Sequence, residues 1–297
     1  MTSAKNQTVL ITGASSGFGN LTAKHLLTDG YKVLASMRQH TDRNREAAEG
    51  LRSQARELGQ EVHILDIDVT DPASIERGVA QGLEVAGSLD VLLNNAGQGY
   101  FGPFEAFSDA QLRAQFEVNF FGAAAMARAV LPTMRQQGKG LLIHISSGLG
   151  RATFPGTGVY SATKYAVEAM SEALRYEASM FGVDSVLIEP GAYETDIVHK
   201  MVAPENADAV AAYGPLADTI GMWEQSLGEY FGSGGGKPQE VVEKIVQLIE
   251  SDPQTRPIRV AVGGDVAFVQ EANEATLPFT RQGLETFGMT DYLPLVR

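Results

Sequence analysis

Tyr160 and Lys164 stand four residues apart in the run Tyr160-Ser161-Ala162-Thr163-Lys164, a spacing that places both side chains on one face of a helix. A phenol with an ordinary pKa of about 10 is a poor base at neutral pH. A nearby ammonium favours the phenolate, and a cationic ring held beside the pair would add to that effect. Ser147, thirteen residues before the tyrosine, ends the apolar run Leu141–Ile145 and its two following serines, so a loop could return it to Tyr160. Taken alone, a Tyr and a Lys four apart are also what a solvent-facing helix shows by chance.

A second group of residues has the chemistry of an anion cradle. Thr12-Gly13-Ala14-Ser15-Ser16-Gly17-Phe18-Gly19 lies between an apolar run and a helical pattern. Glycines there permit a tight turn, let backbone N–H groups approach a pyrophosphate and set the positive end of a helix against it. The alternative is an ordinary strand-to-helix turn. The second apolar run ends Ser36-Met37-Arg38, without the acid that would bond the ribose hydroxyls of NAD. Arg38 could pair with a 2′-phosphate instead, which favours NADP(H); otherwise it is a solvated charge at the start of a helix. Arg43, Arg45, Arg52 and Arg56 alternate with Asp42, Glu46, Glu49 and Glu57 and read as a mixed surface face. Asp68 and Val69 close the third apolar run, where Asp68 could bond an adenine amino group or serve as a turn or cap. Asn94-Asn95-Ala96-Gly97 close the fourth and suit either a cofactor ribose or a turn.

The elements that must position these residues alternate along the chain. Strands are expected at Thr8–Thr12, Lys32–Ser36, Val62–Asp68, Leu89–Leu93, Leu141–Ile145, Val183–Glu189 and Ile258–Val262. Helices are expected at Asn20–Asp29, Asp42–Leu58, Pro72–Val85, Asp109–Gln136, Tyr160–Phe181 and Pro238–Glu250. Strand–helix alternation of this kind implies parallel βαβ units, and continuous apolar strands are those buried on both faces. The expected fold is a single-domain α/β protein: a Rossmann-type, doubly wound sheet of about seven parallel strands with helices on both faces. Every motif named above falls at a strand's carboxyl end, where such sheets bind ligands. Residues 192–237 break the alternation and carry Met201, Val202, Tyr213, Met222, Trp223 and Phe231. With Phe101, Leu149 and Phe154 these suggest a large apolar pocket under a lid, or equally a subunit interface. Residues 264–297 form a C-terminal extension of unassigned structure.

Composition narrows the function classes. The 297 residues hold 23 Lys and Arg against 36 Asp and Glu, a net charge of −13, which argues against nucleic acid and anionic membranes as partners. There is no cysteine, which excludes disulfides, thiolate metal sites and cysteine nucleophiles. His25, His40, His63, His144 and His199 show no metal-ligand spacing, so no metal is expected. The polar stretch Met1–Thr8 lacks the pattern of a secretion signal and no apolar run is long enough to span a membrane. The expectation is a cytoplasmic protein with a small-molecule partner.

The ordered set TGASSGFG, NNAG, Asn119, Ser147, YSATK and Pro190-Gly191-Ala192-Tyr193-Glu194-Thr195 resembles the short-chain dehydrogenase/reductase family. The likeness covers about residues 8–265. It implies that Tyr160 is the general acid/base, that Lys164 lowers its pKa and bonds the nicotinamide ribose, and that Ser147 orients the substrate oxygen. It implies further that Asn119 holds a water in a proton relay, and that Thr195 with the backbone near Ile188–Gly191, Pro190 and Gly191 included, holds the carboxamide. The implied reaction passes a hydride between NADP(H) and a ketone, aldehyde or secondary alcohol in a homodimer or homotetramer. The YxxMxxxK spacing of enoyl reductases is absent. His144, where many members have Asn, reads as a satisfied core histidine, and Glu194 is unusual in its loop. The competing reading is a sensor that binds NADP(H) without turnover; it would need the glycine loop but not the four residues Asn119, Ser147, Tyr160 and Lys164.

Overall fold

A computed structural model describes residues 7–296, excepting the side chains of Val198, His199, Ala217, Thr219, Ile220, Trp223, Glu224 and Asp265. The polar stretch Met1–Asn6 and the side chains of Trp223 and His199, all named above, therefore lie outside the described residues. In chain order the first half runs β1 (Thr8–Ile11), α1 (Gly17–Thr28), β2 (Lys32–Ser36), α2 (Arg45–Leu58), β3 (Val62–Leu65), α3 (Pro72–Ala86) and β4 (Val91–Asn94). It continues through α4 (Asp109–Phe116), a π-helical turn (Glu117–Phe121), α5 (Gly122–Gln137), β5 (Gly140–Ile145), α6 (Gly158–Ser179) and β6 (Val183–Pro190). The remainder comprises α7 (Asp196–His199), α8 (Ala207–Ala212), α9 (Pro215–Gly232), α10 (Gln239–Glu250), β7 (Arg259–Val262) and α11 (Ala267–Thr286).

The seven strands form one parallel sheet in the order β3-β2-β1-β4-β5-β6-β7. Successive side chains of a strand point to opposite faces, and the core divides accordingly. Val9, Ile11, Val33, Val91 and Ile143 pack with α1, α2 and α10 through Leu26, Leu27, Leu51, Val241 and Ile245. Leu10, Leu34, Leu92 and Leu142 pack with α3 and α5 through Ile75, Val79, Met126, Val130 and Met134. Both faces are covered, which is why the strands read as unbroken apolar runs. The chain reverses direction across the sheet between β1 and β4, and the crevice at their carboxyl ends is where such a sheet takes a ligand.

Several boundaries differ from expectation for local reasons. β3 stops at Leu65, so Asp68 sits in the turn beyond it rather than closing the strand. Its carboxylate accepts from the Thr70 N–H at 3.0 Å and hydroxyl at 2.8 Å. The expected helix Asp109–Gln136 is interrupted by the π turn at Glu117–Phe121, a one-residue widening that apolar periodicity does not register. Residues 192–237, irregular by sequence, fold into α7, α8 and α9, and most of the C-terminal extension is α11. Among the described residues no helix is long and apolar enough to cross a membrane.

Arg175 in α6 fixes the far edge of the sheet. It is 1% exposed, pairs with Asp184 at 2.8 Å and donates to the Arg256 and Leu295 carbonyls at 2.6 and 3.1 Å. Arg256 also approaches Asp184, at 3.6 Å. Arg175→Ala should therefore lower the unfolding free energy by about 3 kcal/mol, the low end of the loss from stripping one partner from a buried pair. A drop in the urea midpoint measures it, and an unchanged midpoint would contradict this role.

Candidate active site

The carboxyl ends of the strands open into a cavity of about 780 Å³. Its floor is the glycine turn after β1. Gly13 has φ +66°, and a β-carbon there would come within 3.0 Å of the Ala96 backbone, so the turn requires glycine. At Gly19 a β-carbon would lie 2.5 Å from Asn95 Nδ2 and 2.6 Å from the Gly13 carbonyl. Helix α1 starts at Gly17 with Ser16 making no side-chain cap, leaving the first N–H groups directed at the cavity without intrahelical partners. A β-carbon on Gly17 would meet Thr195 at 3.6 Å, so the turn and the loop after β6 face each other at van der Waals range.

Thr12 and Asn95 lock the ends of β1 and β4 together. Thr12 Oγ1 accepts from the Asn95 and Ala96 N–H groups at 2.9 and 3.0 Å. Asn95 Nδ2 returns a bond to the Thr12 carbonyl at 2.8 Å. The amide of Asn95 is thereby structural, as well as lining the cavity with Ala96 and Gly97.

At the β2 and β3 ends, Arg38 Nη1 stands 3.6 Å from Asp68 Oδ2, with the arginine side chain half exposed. Burial alone would raise the Asp68 carboxyl, but the Thr70 hydrogen bonds and the Arg38 charge outweigh it and hold the group below its usual range. Asn44 Nδ2 donates to the Arg38 carbonyl at 2.7 Å, fixing the turn, and both Arg43 and Asn44 line the cavity. Arg43 therefore departs from the expected mixed surface face: it precedes the helix and turns towards the site.

The central wall is formed by the end of β5 laid against α6. Lys164 Nζ donates to the Ile145 carbonyl at 2.8 Å and lies 5.5 Å from the centre of the Tyr160 ring. Phe101, from the loop after β4, stacks on the other part of that ring at 5.3 Å. Burial pushes the Tyr160 phenol up to about 12, opposed by its interaction with the Ser147 hydroxyl. Burial likewise takes Lys164 down to about 8, with the charge of Glu168 working the other way.

Asn119 sits in the π turn and is buried. Its Nδ2 donates to the Gln98 carbonyl at 2.9 Å and to Thr163 Oγ1 at 3.0 Å, and its Oδ1 accepts from the Gln98 N–H at 2.9 Å. It fastens the loop after β4 to α6 beside the tyrosine. His144 is only half satisfied, a correction to its expected state: Nδ1 accepts from Asn94 Nδ2 at 3.3 Å, while buried Nε2 makes no hydrogen bond. Burial takes it down to about 4, so the ring is neutral.

Of the residues singled out from sequence, Gly13, Ser15, Ser16, Gly17, Phe18, Arg38, Asp68, Val69, Asn95, Ala96, Gly97, Ser147, Tyr160, Lys164, Pro190, Gly191 and Thr195 all line this one cavity. Gly19 and Asn119 support it from behind. The apolar side chains divide: Phe101, Leu149, Phe154, Met201, Val202 and Phe231 line the cavity, whereas Tyr213 and Met222 are exposed away from it. Tyr193 lines it from within the quoted loop motif, and Lys200, Val266 and Phe268 line it without having been anticipated. The last two come from the chain after β7, where no motif marks them.

The chain matches the family model of short chain dehydrogenases over residues 7–206. It is 39% identical over 274 residues to a 3-ketodihydrosphingosine reductase of Bacteroides thetaiotaomicron, covering 92% of this chain and 93% of that protein. It is 36% identical to retinol dehydrogenase 8 of Homo sapiens, covering 86% and 80%. A solved short-chain dehydrogenase from Streptomyces avermitilis superimposes with a TM-score of 0.74 at 30% identity, over 95% of this chain and 98% of that one. A sheet with its glycine turn at the β1–β4 crevice and a buried Tyr–Lys pair at the end of β5 thus marks a nicotinamide-dependent oxidoreductase. The protein belongs to the short-chain dehydrogenase family, whose enzymes act on CH–OH or C=O groups of small molecules.

Because Thr12 Oγ1 is the acceptor for two backbone N–H groups, Thr12→Val should cost about 2 kcal/mol in urea unfolding through the N–H groups left unpaired. It should also weaken dinucleotide binding, measured by nucleotide fluorescence, while Thr12→Ser restores both. Equal behaviour of the two variants would contradict the lock.

Proposed function

We propose that this protein is an NADP(H)-dependent carbonyl reductase for a ketone or aldehyde carried on a bulky apolar skeleton. The observation that supports this most directly is Tyr160, buried between Lys164 and Phe101 at the cavity wall with its phenol held up to about 12. A group with that pKa stays protonated at neutral pH, the state a general acid needs when a carbonyl oxygen becomes an alkoxide.

The cavity's chemistry fits a dinucleotide: a glycine turn whose β-carbon positions are already filled by Ala96 and Asn95 atoms, and an uncapped helix start for a pyrophosphate. In this reading Gly13, Ser15, Ser16, Gly17 and Phe18 hold the pyrophosphate, Asp68 and Val69 the adenine, and Asn95, Ala96 and Gly97 the ribose side. Pro190, Gly191 and Thr195 hold the carboxamide. When bound, the nicotinamide supplies the hydride. Ser147 orients the substrate oxygen, Tyr160 gives it a proton, and Lys164 contributes positive charge beside the phenol. Asn119 keeps the loop after β4 and α6 in register and would hold a water of a proton relay towards Lys164.

Preference for NADP(H) rests on Arg38 with Arg43 at the end of β2 and the lack of an acid there. Asp68 holds Arg38 at 3.6 Å, within reach of a 2′-phosphate that would compete for it. Residues 192–237 act as the substrate lid; Val202 pairs with Tyr100, and their strap bonds Phe101 N–H to the Val202 carbonyl at 3.2 Å. The apolar lining from Phe101, Leu149, Phe154, Phe231 and Phe268 and the names of the two relatives, each a ketone or alcohol on a long apolar frame, support a bulky substrate. Exposed Phe121 and Tyr165, on the two long helical segments flanking the site, suit a homodimer or homotetramer.

Tyr160→Phe should cut kcat for NADPH-driven ketone reduction by about 10²–10⁴-fold with little change in dinucleotide binding. Wild-type turnover in that variant would contradict the role of Tyr160. Arg38→Leu should lower kcat/KM for NADPH by about 10–100-fold, the worth of one or two charge-assisted hydrogen bonds, and leave NADH nearly unaffected. Equal losses with both cofactors would contradict the NADP(H) preference.

A further inference from the structure

Residues 160, 164 and 168 form one row along α6, each a turn from the next. The last residue of β5 and the two that follow it meet that row: the Ser147 hydroxyl reaches Tyr160, the Ile145 carbonyl accepts from Lys164, and Ser146 faces Glu168. A β-carbon on Gly150 would lie 2.7 Å from Ser146 Oγ and 3.2 Å from Glu168 Oε1, so both oxygens border one small space that only glycine leaves open. Glu168 is 3% exposed, and a buried carboxylate is retained only where something holds its charge. Here that is Arg259 of β7, whose Nε lies 2.9 Å from Glu168 Oε2 while its Nη2 lies 2.5 Å from Glu172.

We propose that Glu168 is a positioning residue for Lys164: anchored by Arg259, it holds a fixed negative charge one helical turn from the ammonium and keeps Lys164 protonated beside Tyr160. The proposal rests on the reading above that Lys164 acts as a cation. The groups that face Glu168 are Lys164 and Glu172 on its own helix, Arg259 from β7, Glu189 from β6 and Arg151 from the turn after β5. Lys164 itself is faced by Tyr160 and Glu168.

Two buried carboxyls share this cluster, and geometry separates them. Glu189 is fully buried, stands 3.8 Å from Arg259 and accepts from Asn273 Nδ2 at 2.5 Å. Burial raises both groups; Arg259 opposes this most strongly at Glu168, whereas at Glu189 the charge of Glu168 adds to it and takes the group up to about 8. The closer approach of Arg259, 2.9 Å at Glu168 against 3.8 Å at Glu189, therefore favours the negative charge on Glu168. Burial alone pulls Lys164 down towards neutrality, and Glu168 is the charge that resists it.

The test is the titration of Lys164 followed by NMR of protein labelled at lysine Cε, with the signal assigned through Lys164→Arg. In Glu168→Gln the midpoint should fall by about one pH unit, and the alkaline limb of kcat/KM for ketone reduction should move down with it. Glu168→Asp should keep both near the wild-type positions. A folded Glu168→Gln protein in which Lys164 titrates as in the wild type overturns the proposal, as does a moved titration with an unmoved alkaline limb. Should the Gln variant not fold, the double variant Glu168→Met with Arg259→Met, which leaves no unpaired buried charge at position 168, should show the same fall relative to Arg259→Met alone. Tyr160→Phe run alongside separates the two readings: wild-type turnover there defeats the proton-transfer role, and the Lys164 titration alone then decides on Glu168.

Discussion

The hydrogen bond from Lys164 Nζ to the Ile145 carbonyl, 2.8 Å long and buried, joins the end of β5 to α6. The constellation depends on it. A carbonyl at a strand's last residue has no ladder partner beyond it, and a lysine buried on a helix needs acceptors in place of water. Each meets the other's need. With that bond made, Ser147 falls beside Tyr160 and the tyrosine ring is held between the lysine and Phe101. Asn119 braces the other side of α6 through Thr163, whose own hydroxyl bonds back to the Tyr160 carbonyl at 2.7 Å. Ser147, Tyr160 and Lys164 thus come from a strand end and one helix rather than from mobile loops, which suits a proton donor that must be placed to a fraction of an ångström.

Electrostatics work at two scales. The protein carries a net charge of −13, a field that repels an anionic ligand at long range but is screened within about 8–10 Å in physiological salt. Inside the crevice the balance is reversed by local features: an uncapped helix start, Arg38 and Arg43 at the end of β2, and Lys164 at the wall. The acidic side chains there are occupied, Asp68 by Thr70 and Arg38, Asp196 by Lys200. Behind the wall, buried charges are organised by two arginines, Arg175 binding Asp184 and Arg259 binding Glu168 and Glu172. Such pairs add little net stability but make wrong arrangements of the strand ends costly.

Much of this was legible in the sequence, and the exceptions share a cause. The seven strands and the helices that cover them announce themselves as apolar runs, since strands buried on both faces have no polar side to hide. The glycine turn, Ser147, Tyr160 and Lys164 stand at strand and helix ends that periodicity locates. Periodicity is blind to the π turn that aims Asn119, because one added residue leaves the apolar faces nearly in phase. It is equally blind to contributions from distant chain. Val266 and Phe268 reach the cavity because α11 packs back along the sheet edge, and Arg43 because Asn44 closes a turn on the Arg38 carbonyl. Glu168 and Glu189 lie in apolar stretches, where a lone acid can mark either a surface position or a buried pair; only the placement of Arg259 on β7 decides between them.

In the proposed function a bound nicotinamide would supply a hydride to a carbonyl carbon, while Tyr160 would supply the proton to oxygen. Reduction of an apolar ketone with NADPH deuterated on the transferred C4 position, in ordinary water, separates those two events by mass spectrometry. One deuterium per product molecule is expected, on the carbinol carbon and not exchangeable. Oxidation of the dinucleotide with a product that carries no label on that carbon would contradict it.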